Sequence, residues 1–231
     1  MTDNFKIKLK QDPLYEEYLK DNLFNFGGKV LEVGKHNGLN LKSYLDLKPY
    51  LKNSRNALDI GARWGEWARI MQDDFQQVYC FEPHPKRFCL IPENCDINKV
   101  TLYGCCLGNE NQRVRMYGGC IYDPNKKGIK KDVRHDYKIS TRQSIKLDEF
   151  NIPEVDFIKI DVEGFELPVL QGGLKTILEW KPVICLEQNG SEEKWRGAKR
   201  NEASEFLLKI GMKLEKQLNY QDFLFTWPDK N

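Results

Sequence analysis

The run Ile160-Asp161-Val162-Glu163-Gly164 closes an apolar stretch, VDFIKID, and brings two carboxylates within two residues of each other. A carboxylate in hydrogen-bond reach of a hydroxyl accepts its proton during attack, an effect worth about 10²- to 10⁴-fold. Asp161 is the first candidate for that base and Glu163 the second. The plainer alternative has Asp161 orienting a ligand's amino group and Glu163 capping the helix that follows, where a carboxylate is favourable. Upstream, Asp59-Ile60-Gly61-Ala62-Arg63-Trp64-Gly65 follows another short apolar run. Glycine at 61 and 65 permits unusual backbone angles and close approach of a ligand. A dinucleotide fingerprint needs G-x-G-x-x-G, so that backbone can meet a pyrophosphate. Here Arg63 and Glu66 stand at the second and third glycine positions, which favours a ligand with a ribose but no phosphate. About 20 residues further on, Glu82 ends QVYCFE, where an acidic residue accepts both ribose hydroxyls. The plain reading of Glu82 is a solvated strand end.

The elements that must position these residues alternate. NALDI (56–60), QVYCFE (77–82), KVTLYGCCL (99–107), VDFIKID (155–161) and PVICLE (182–187) read as strands. Helices follow at WGEWARIMQ, after Pro83 and Pro85, and over GFELPVLQGGLKTILEW, where apolar residues at 167, 170, 174, 177 and 178 keep a helical period. Strand and helix in this order make βαβ units and a parallel sheet covered on both faces. Segment 191–209 reads as one helix. MKLEKQL and DFLFTW around Asn219-Tyr220-Gln221 then read as a hairpin, so the last strand is antiparallel in an otherwise parallel sheet. Residues 1–54 form a helical lead-in packed on the core, with helices over 12–26 and 39–52, the second interrupted by Pro49. Residues 55–231 form one domain, with an insertion at 109–146 whose β-prone ends, RVRMY and KISTRQSI, bracket a polar middle.

Composition narrows the function. With 40% hydrophobic and 30% charged residues, the chain has the material for a core. No run approaches the roughly 18 to 20 apolar residues of a membrane span, so no membrane partner is expected. MTDNFKIKLKQDP lacks an apolar signal region, so secretion is not expected. Seven cysteines, an odd number without a CxxC pair, read as reduced residues in a cytoplasmic protein. No ligand spacing demands a metal, so none is assigned. The formal net charge of +2 gives no global bias toward nucleic acid, leaving only a local basic run over 126–135. That run is a solvated loop or a grip on an anionic acceptor. Asp123-Pro124 lacks the residues that would make it an amino-methylating signature.

The motifs DIGARWGEW, VYCFEPHPK and CCLGN, with KLDEF…VDFIKIDVEGFELPVLQGG and KPVICLEQN, resemble the FkbM-type S-adenosylmethionine-dependent methyltransferases. The resemblance covers residues 54–189 and, more weakly, the C-terminal hairpin. It implies a Rossmann-like class I methyltransferase fold, with a mostly parallel seven-stranded sheet and an antiparallel last strand. It implies S-adenosyl-L-methionine as cofactor, with Asp59, Gly61, Ala62 and Gly65 around its methionine part. Glu82 would hold the ribose, and Cys106 and Leu107 would lie beside the adenine. Arg63 and the pair Cys105-Cys106 depart from the family pattern, and residues 118–138 have no counterpart in it.

On that resemblance, Asp161 and Glu163 become the catalytic pair of an O-methyltransferase acting on a sugar, a glycan or a small natural product. His84 is a further candidate base whose plain reading is a helix-start residue. Glu187 and Asn189 are candidate linings of the acceptor site. Lys159 is either a buried cation paired with a carboxylate such as Glu187 or a residue of the opposite face. The rival readings are an RNA ribose 2'-O-methyltransferase and a cofactor-binding module without catalysis, the latter motivated by the bulk of Arg63.

Overall fold

A computed structural model of the chain describes residues 35–121 and 139–228. The helix expected over 12–26, Asp123-Pro124 and the basic run over 126–135 lie outside those residues. In chain order the strands are β1 (Asn56–Ile60), β2 (Gln77–Phe81), β3 (Val100–Tyr103), β4 (Cys106–Leu107), β5 (Gln112–Tyr117), β6 (Cys120–Ile121), β7 (Ile139–Ile145), β8 (Val155–Ile160), β9 (Val183–Glu187), β10 (Lys213–Gln217) and β11 (Asp222–Thr226). The helices are α1 (Lys35–Leu47), α2 (Glu66–Met71), α3 (Pro85–Phe88), α4 (Ile91–Asn94), α5 (Glu166–Gly172), α6 (Leu174–Trp180), α7 (Ser191–Arg196) and α8 (Glu202–Lys209).

Seven strands form one sheet in the order β10-β11-β9-β8-β1-β2-β3. From β9 to β3 every pairing is parallel, while β11 runs antiparallel to both its neighbours. This is the Rossmann-like α/β arrangement expected from the alternation of elements and from the hairpin. The central strands are mostly apolar and almost wholly buried because both faces are covered, with Asp59 and Lys159 among the buried exceptions. On one face Tyr44, Leu47, Trp67, Met71, Phe75 and Phe157 pack together; on the other Ile60, Ile158, Val169, Leu170, Leu207 and Phe225 do. Helix α1 joins the first layer through its aromatic edge. Tyr44 meets Trp67 at 6.3 Å between ring centroids, and Trp67 meets Phe157 at 6.3 Å. Such pairs add about 0.5–1.5 kcal/mol each beyond area burial.

The register decides where the chemistry sits. Ile60 pairs with Phe81 on one side and Ile160 on the other, and Ile160 pairs with Leu186. The next residues along these four strands are Gly61, Glu82, Asp161 and Glu187. Carboxyl ends of parallel strands open onto the crevice of an α/β sheet, so one row delivers a glycine and three carboxyls together.

Four local readings change. The expected strand over 99–107 is two strands: β3 stays in the main sheet, while Cys106 and Leu107 pair with β7 in a second sheet ordered β4-β7-β5-β6. A continuous apolar run cannot show that the chain leaves one sheet for another at Gly104-Cys105. The expected helix over 165–180 is α5 and α6, because Gly172 and Gly173 let it bend around other backbone. A Cβ on Gly172 would lie 1.9 Å from the Gly108 carbonyl oxygen. The expected helix over 191–209 is α7 and α8, broken where Gly197 (φ 68°) and Asn201 (φ 65°) turn left-handed. Finally, α1 stops at Leu47 and continues as a 3₁₀ turn over Lys48–Tyr50 that carries Pro49. The two β-prone ends of the insertion do pair, as β5 with β7.

Candidate active site

Gly61 holds the row together. Its φ is 86°, and a Cβ there would lie 1.8 Å from the Asp161 carbonyl oxygen, so only glycine lets β1 and β8 meet at this level. The Gly61 and Ala62 amides both donate to the Phe81 carbonyl oxygen, at 2.9 and 3.1 Å. The turn ends at Gly65 (φ 83°), where a Cβ would press on the Cys95 sulfur at 2.9 Å. Helix α2 begins there, and its Ala68 amide donates to Asp59 Oδ2 at 3.0 Å. Asp59 thereby satisfies one of the unpaired amides at a helix start. It is 2% exposed, and burial lifts its carboxyl to about 7 against the pull of Lys159.

Glu82 accepts the Arg63 amide at 2.9 Å and the His84 amide at 2.7 Å, one on each carboxylate oxygen. Each oxygen retains a further acceptor position, so the group stays able to receive two hydroxyls. Burial raises its pKa to about 7, opposed first by the charge of Arg87. Arg63 itself turns away from the row. Its guanidinium lies 4.3 Å over the Trp64 ring and 3.7 Å from Glu66, with the side chain about half exposed. The bulk that motivated a non-catalytic reading therefore stands on the rim.

Two cavities adjoin the row. The larger, about 220 Å³, is bordered by Glu82, Cys106, Leu107, Asp161, Glu163 and Glu187, with Phe81, Met116 and Ile121 among its apolar walls. The smaller, about 110 Å³, is bordered by Asp59, Ala62, Trp67, Asn219 and Asp222. Gly61, Arg63, Asp161 and Gln221 border both. All the residues singled out for cofactor and catalysis, except Gly65 and the further candidate base His84, thus border one cavity or both, and Gly65 shapes the turn before α2.

Asp161 shares a hydrogen bond with Glu187, which burial and that contact push up to about 10. Two carboxyls in contact hold a proton between them, because both cannot ionise at such short range. Lys159 ion-pairs with Asp222 at 2.9 Å, not with Glu187; both partners are almost wholly buried. Glu163 (φ 55°) accepts the Ser191 hydroxyl at 3.1 Å. The cap of the turn before α5 is Glu166, whose Oε1 accepts the Gly164 amide at 2.9 Å, so Glu163 does not have the capping role. Asn189 accepts the Ser191 amide at 2.9 Å and borders neither cavity. Burial and nearby cations push His84 down to about 4, so it is neutral at pH 7. Its Nδ1 has no hydrogen-bond partner among the described residues, and His84 borders neither cavity.

Sequence reasoning missed Arg87, Met116, Gly119, Ile121 and Gln221. Four of these reach the cavity from the second sheet or from α3, and only Gln221, two residues from Asn219, lay in a stretch already read as a turn. Among the described residues no group of three His, Cys, Asp or Glu side chains is arranged to hold a metal ion, and no helix is long and apolar enough to cross a membrane.

Comparison with known proteins gives three findings. Residues 59–221 match the family model described as the methyltransferase FkbM domain. No curated protein matches the chain. Among solved structures, the chain is similar to a methyltransferase FkbM from Methylobacillus flagellatus KT, at 18% identity and a TM-score of 0.53. That match covers 80% of this chain and 48% of the other, so the chain spans about half the length of that relative. It is also similar to a precorrin-6y C5,15-methyltransferase from Geobacter metallireducens GS-15, at 15% identity and a TM-score of 0.47, over 83% of this chain and 88% of the other.

Proposed function

The chain belongs to the FkbM methyltransferase family of S-adenosylmethionine-dependent enzymes, and on that premise we propose that it methylates a hydroxyl oxygen of a sugar, a glycan or a small natural product. The observation that carries this reading is the place of Asp161, which borders both cavities beside the row of Gly61, Glu82 and Glu187. A long ligand laid across Gly61 has one cavity on each side of it.

The residues present fit S-adenosylmethionine. Glu82 has free acceptor positions for two ribose hydroxyls, and Cys106, Leu107 and Met116 offer an apolar wall for a flat base. Asp59, Ala62 and the Gly61 turn border the smaller cavity, where the methionine part belongs. Carboxyls at 59, 82, 161 and 187 favour a ligand of positive charge and oppose a pyrophosphate. Bound there, the cofactor supplies a methyl carbon on a sulfonium, which the acceptor oxygen takes as the carbon–sulfur electron pair stays on sulfur.

The protein's part is to hold the acceptor oxygen in line and to take its proton. Asp161 is the base; its contact with Glu187 fixes its orientation and keeps one proton in the pair. Glu163, tied to Ser191, holds the acceptor from the far side. We keep the catalytic domain at 55–231 with 1–54 as a lead-in, and Met116, Gly119 and Ile121 of the 109–146 insertion border the larger cavity. All seven cysteines are free thiols, which supports a reducing compartment such as the cytoplasm.

The test is titration calorimetry with S-adenosylmethionine, S-adenosylhomocysteine and NAD, followed by a hydroxyl-acceptor screen with wild type and Asp161→Asn. Binding of both adenosyl compounds but not NAD is expected. Asp161→Asn is expected to lose about 10²- to 10⁴-fold in turnover while still binding S-adenosylhomocysteine. Near-normal turnover in that variant removes Asp161 as the base.

A further inference from the structure

The roles assigned above leave one charged wall residue without a task. Arg87, on α3, is half-buried and borders the larger cavity. Its guanidinium packs on the β5–β6 turn: a Cβ on Gly119 would lie 2.4 Å from Nη1 and 3.0 Å from both Cζ and Nη2. Glycine at 119 is what lets the group lie that close. Among the described residues the guanidinium has no hydrogen bond and no ion pair. Its charge is felt by Glu82, but no hydrogen bond or ion pair joins the two. Among the described residues its donors therefore have no protein acceptor, and they border a cavity where a ligand can bring one.

The surroundings say which part of the cavity this is. The Cys120 thiol, next to Gly119, lies within electrostatic reach of both Glu163 and Arg87, and Gly119 and Glu163 border the same cavity. Arg142, on β7, donates to the Pro83 carbonyl oxygen at 2.9 Å and adds its charge to that of Arg87 around His84. Arg87 therefore brings a positive charge to the same cavity that the carboxyls of Asp161, Glu163 and Glu187 border. A molecule offering a hydroxyl to Asp161 meets Arg87 with another part of itself.

We propose that Arg87 recognises the acceptor and that the acceptor is an acidic sugar, carrying a phosphate or a carboxylate which the guanidinium binds through paired hydrogen bonds. This rests on the methyltransferase reading of the same cavity. The experiment saturates the protein with S-adenosylhomocysteine and titrates glucose 6-phosphate, glucuronate and glucose into wild type, Arg87→Gln and Arg87→Lys. Wild type is expected to bind at least one acidic sugar about 10- to 100-fold more tightly than glucose. Glucose 6-phosphate and glucuronate separate phosphate from carboxylate. Arg87→Gln is expected to abolish that preference and Arg87→Lys to keep part of it, all three proteins binding S-adenosylhomocysteine equally. Equal binding of the three sugars by wild type overturns the proposal, as does an Arg87→Gln variant that keeps the preference. So does a variant that loses S-adenosylhomocysteine instead, which would place Arg87 on the cofactor. Failure of wild type to bind S-adenosylhomocysteine defeats the methyltransferase reading itself, and this proposal with it.

Discussion

The two sides of the larger cavity are built in opposite ways. One side is the row Gly61, Glu82, Asp161 and Glu187, set by four parallel strands in register and held by backbone hydrogen bonds between adjacent strand ends. The other is the β5–β6 turn and α3, where Gly119 and Arg87 meet through side-chain packing alone. On the first side the backbone is itself the scaffold, so a substitution there is felt by the fold. On the second a long flexible side chain lies against a turn, so a substitution is felt by the ligand. The contrast teaches that the strand-end side is fixed by sheet geometry, while the turn side is free to vary without endangering the sheet.

Gly61→Ala should show the first side at its most sensitive. The added carbon meets the Asp161 carbonyl oxygen at 1.8 Å, in a backbone conformation that disfavours side chains. A loss of about 1–3 kcal/mol or more is expected, read as a lower thermal midpoint together with lost cofactor binding. A normal midpoint would mean that the strand ends do not meet as described.

Glu82→Gln probes the same side with a smaller effect, through pH. Folding raises the Glu82 carboxyl from its ordinary value near 4.5 to about 7. The folded state therefore binds that proton more tightly, and the stability it brings is present below pH 4.5 and lost as pH rises through 7. Glu82→Gln lacks this loss, so its stability relative to wild type should rise between pH 5 and pH 8. A constant difference across that range, measured by denaturant titration at each pH, would contradict a buried, proton-retaining Glu82.

Gly119→Ala is the matching test on the second side and the smallest in stability. The nearest neighbours of its new carbon are all at the movable end of Arg87, so the folding stability should stay within about 0.5 kcal/mol of wild type. Displacing the guanidinium should raise KM for the acceptor while S-adenosylhomocysteine affinity holds. A large stability loss would show that both sides are equally built into the fold.

The same division explains what the sequence could reveal. Asp59, Gly61 and Gly65 lie within one short run, and Glu82 and Asp161 each end an apolar strand, so periodicity alone brings them to one edge. The parallel sheet was legible from the alternation of elements, and the antiparallel β11 from the polar turn of its hairpin. The partner of Lys159 was not, because Asp222 lies 63 residues away and is selected by the register of β11 on β9. Arg87 reads as one more helix cation until its packing on Gly119 is known. The split of 99–107 between two sheets was hidden because an apolar run has the same character in either.

The pairing of Lys159 with Asp222 also has a consequence in time. A chain is synthesised from its N-terminus at about 5–20 residues per second, so Lys159 precedes its counter-ion by roughly 3 to 13 s. Until then the β8 ammonium has the charges of Asp59 and Asp161 near it but lacks the carboxylate it pairs with in the finished sheet, and burying it without that partner is unfavourable. The expected consequence is that the central strands reach their final packing only once the C-terminal hairpin has been made.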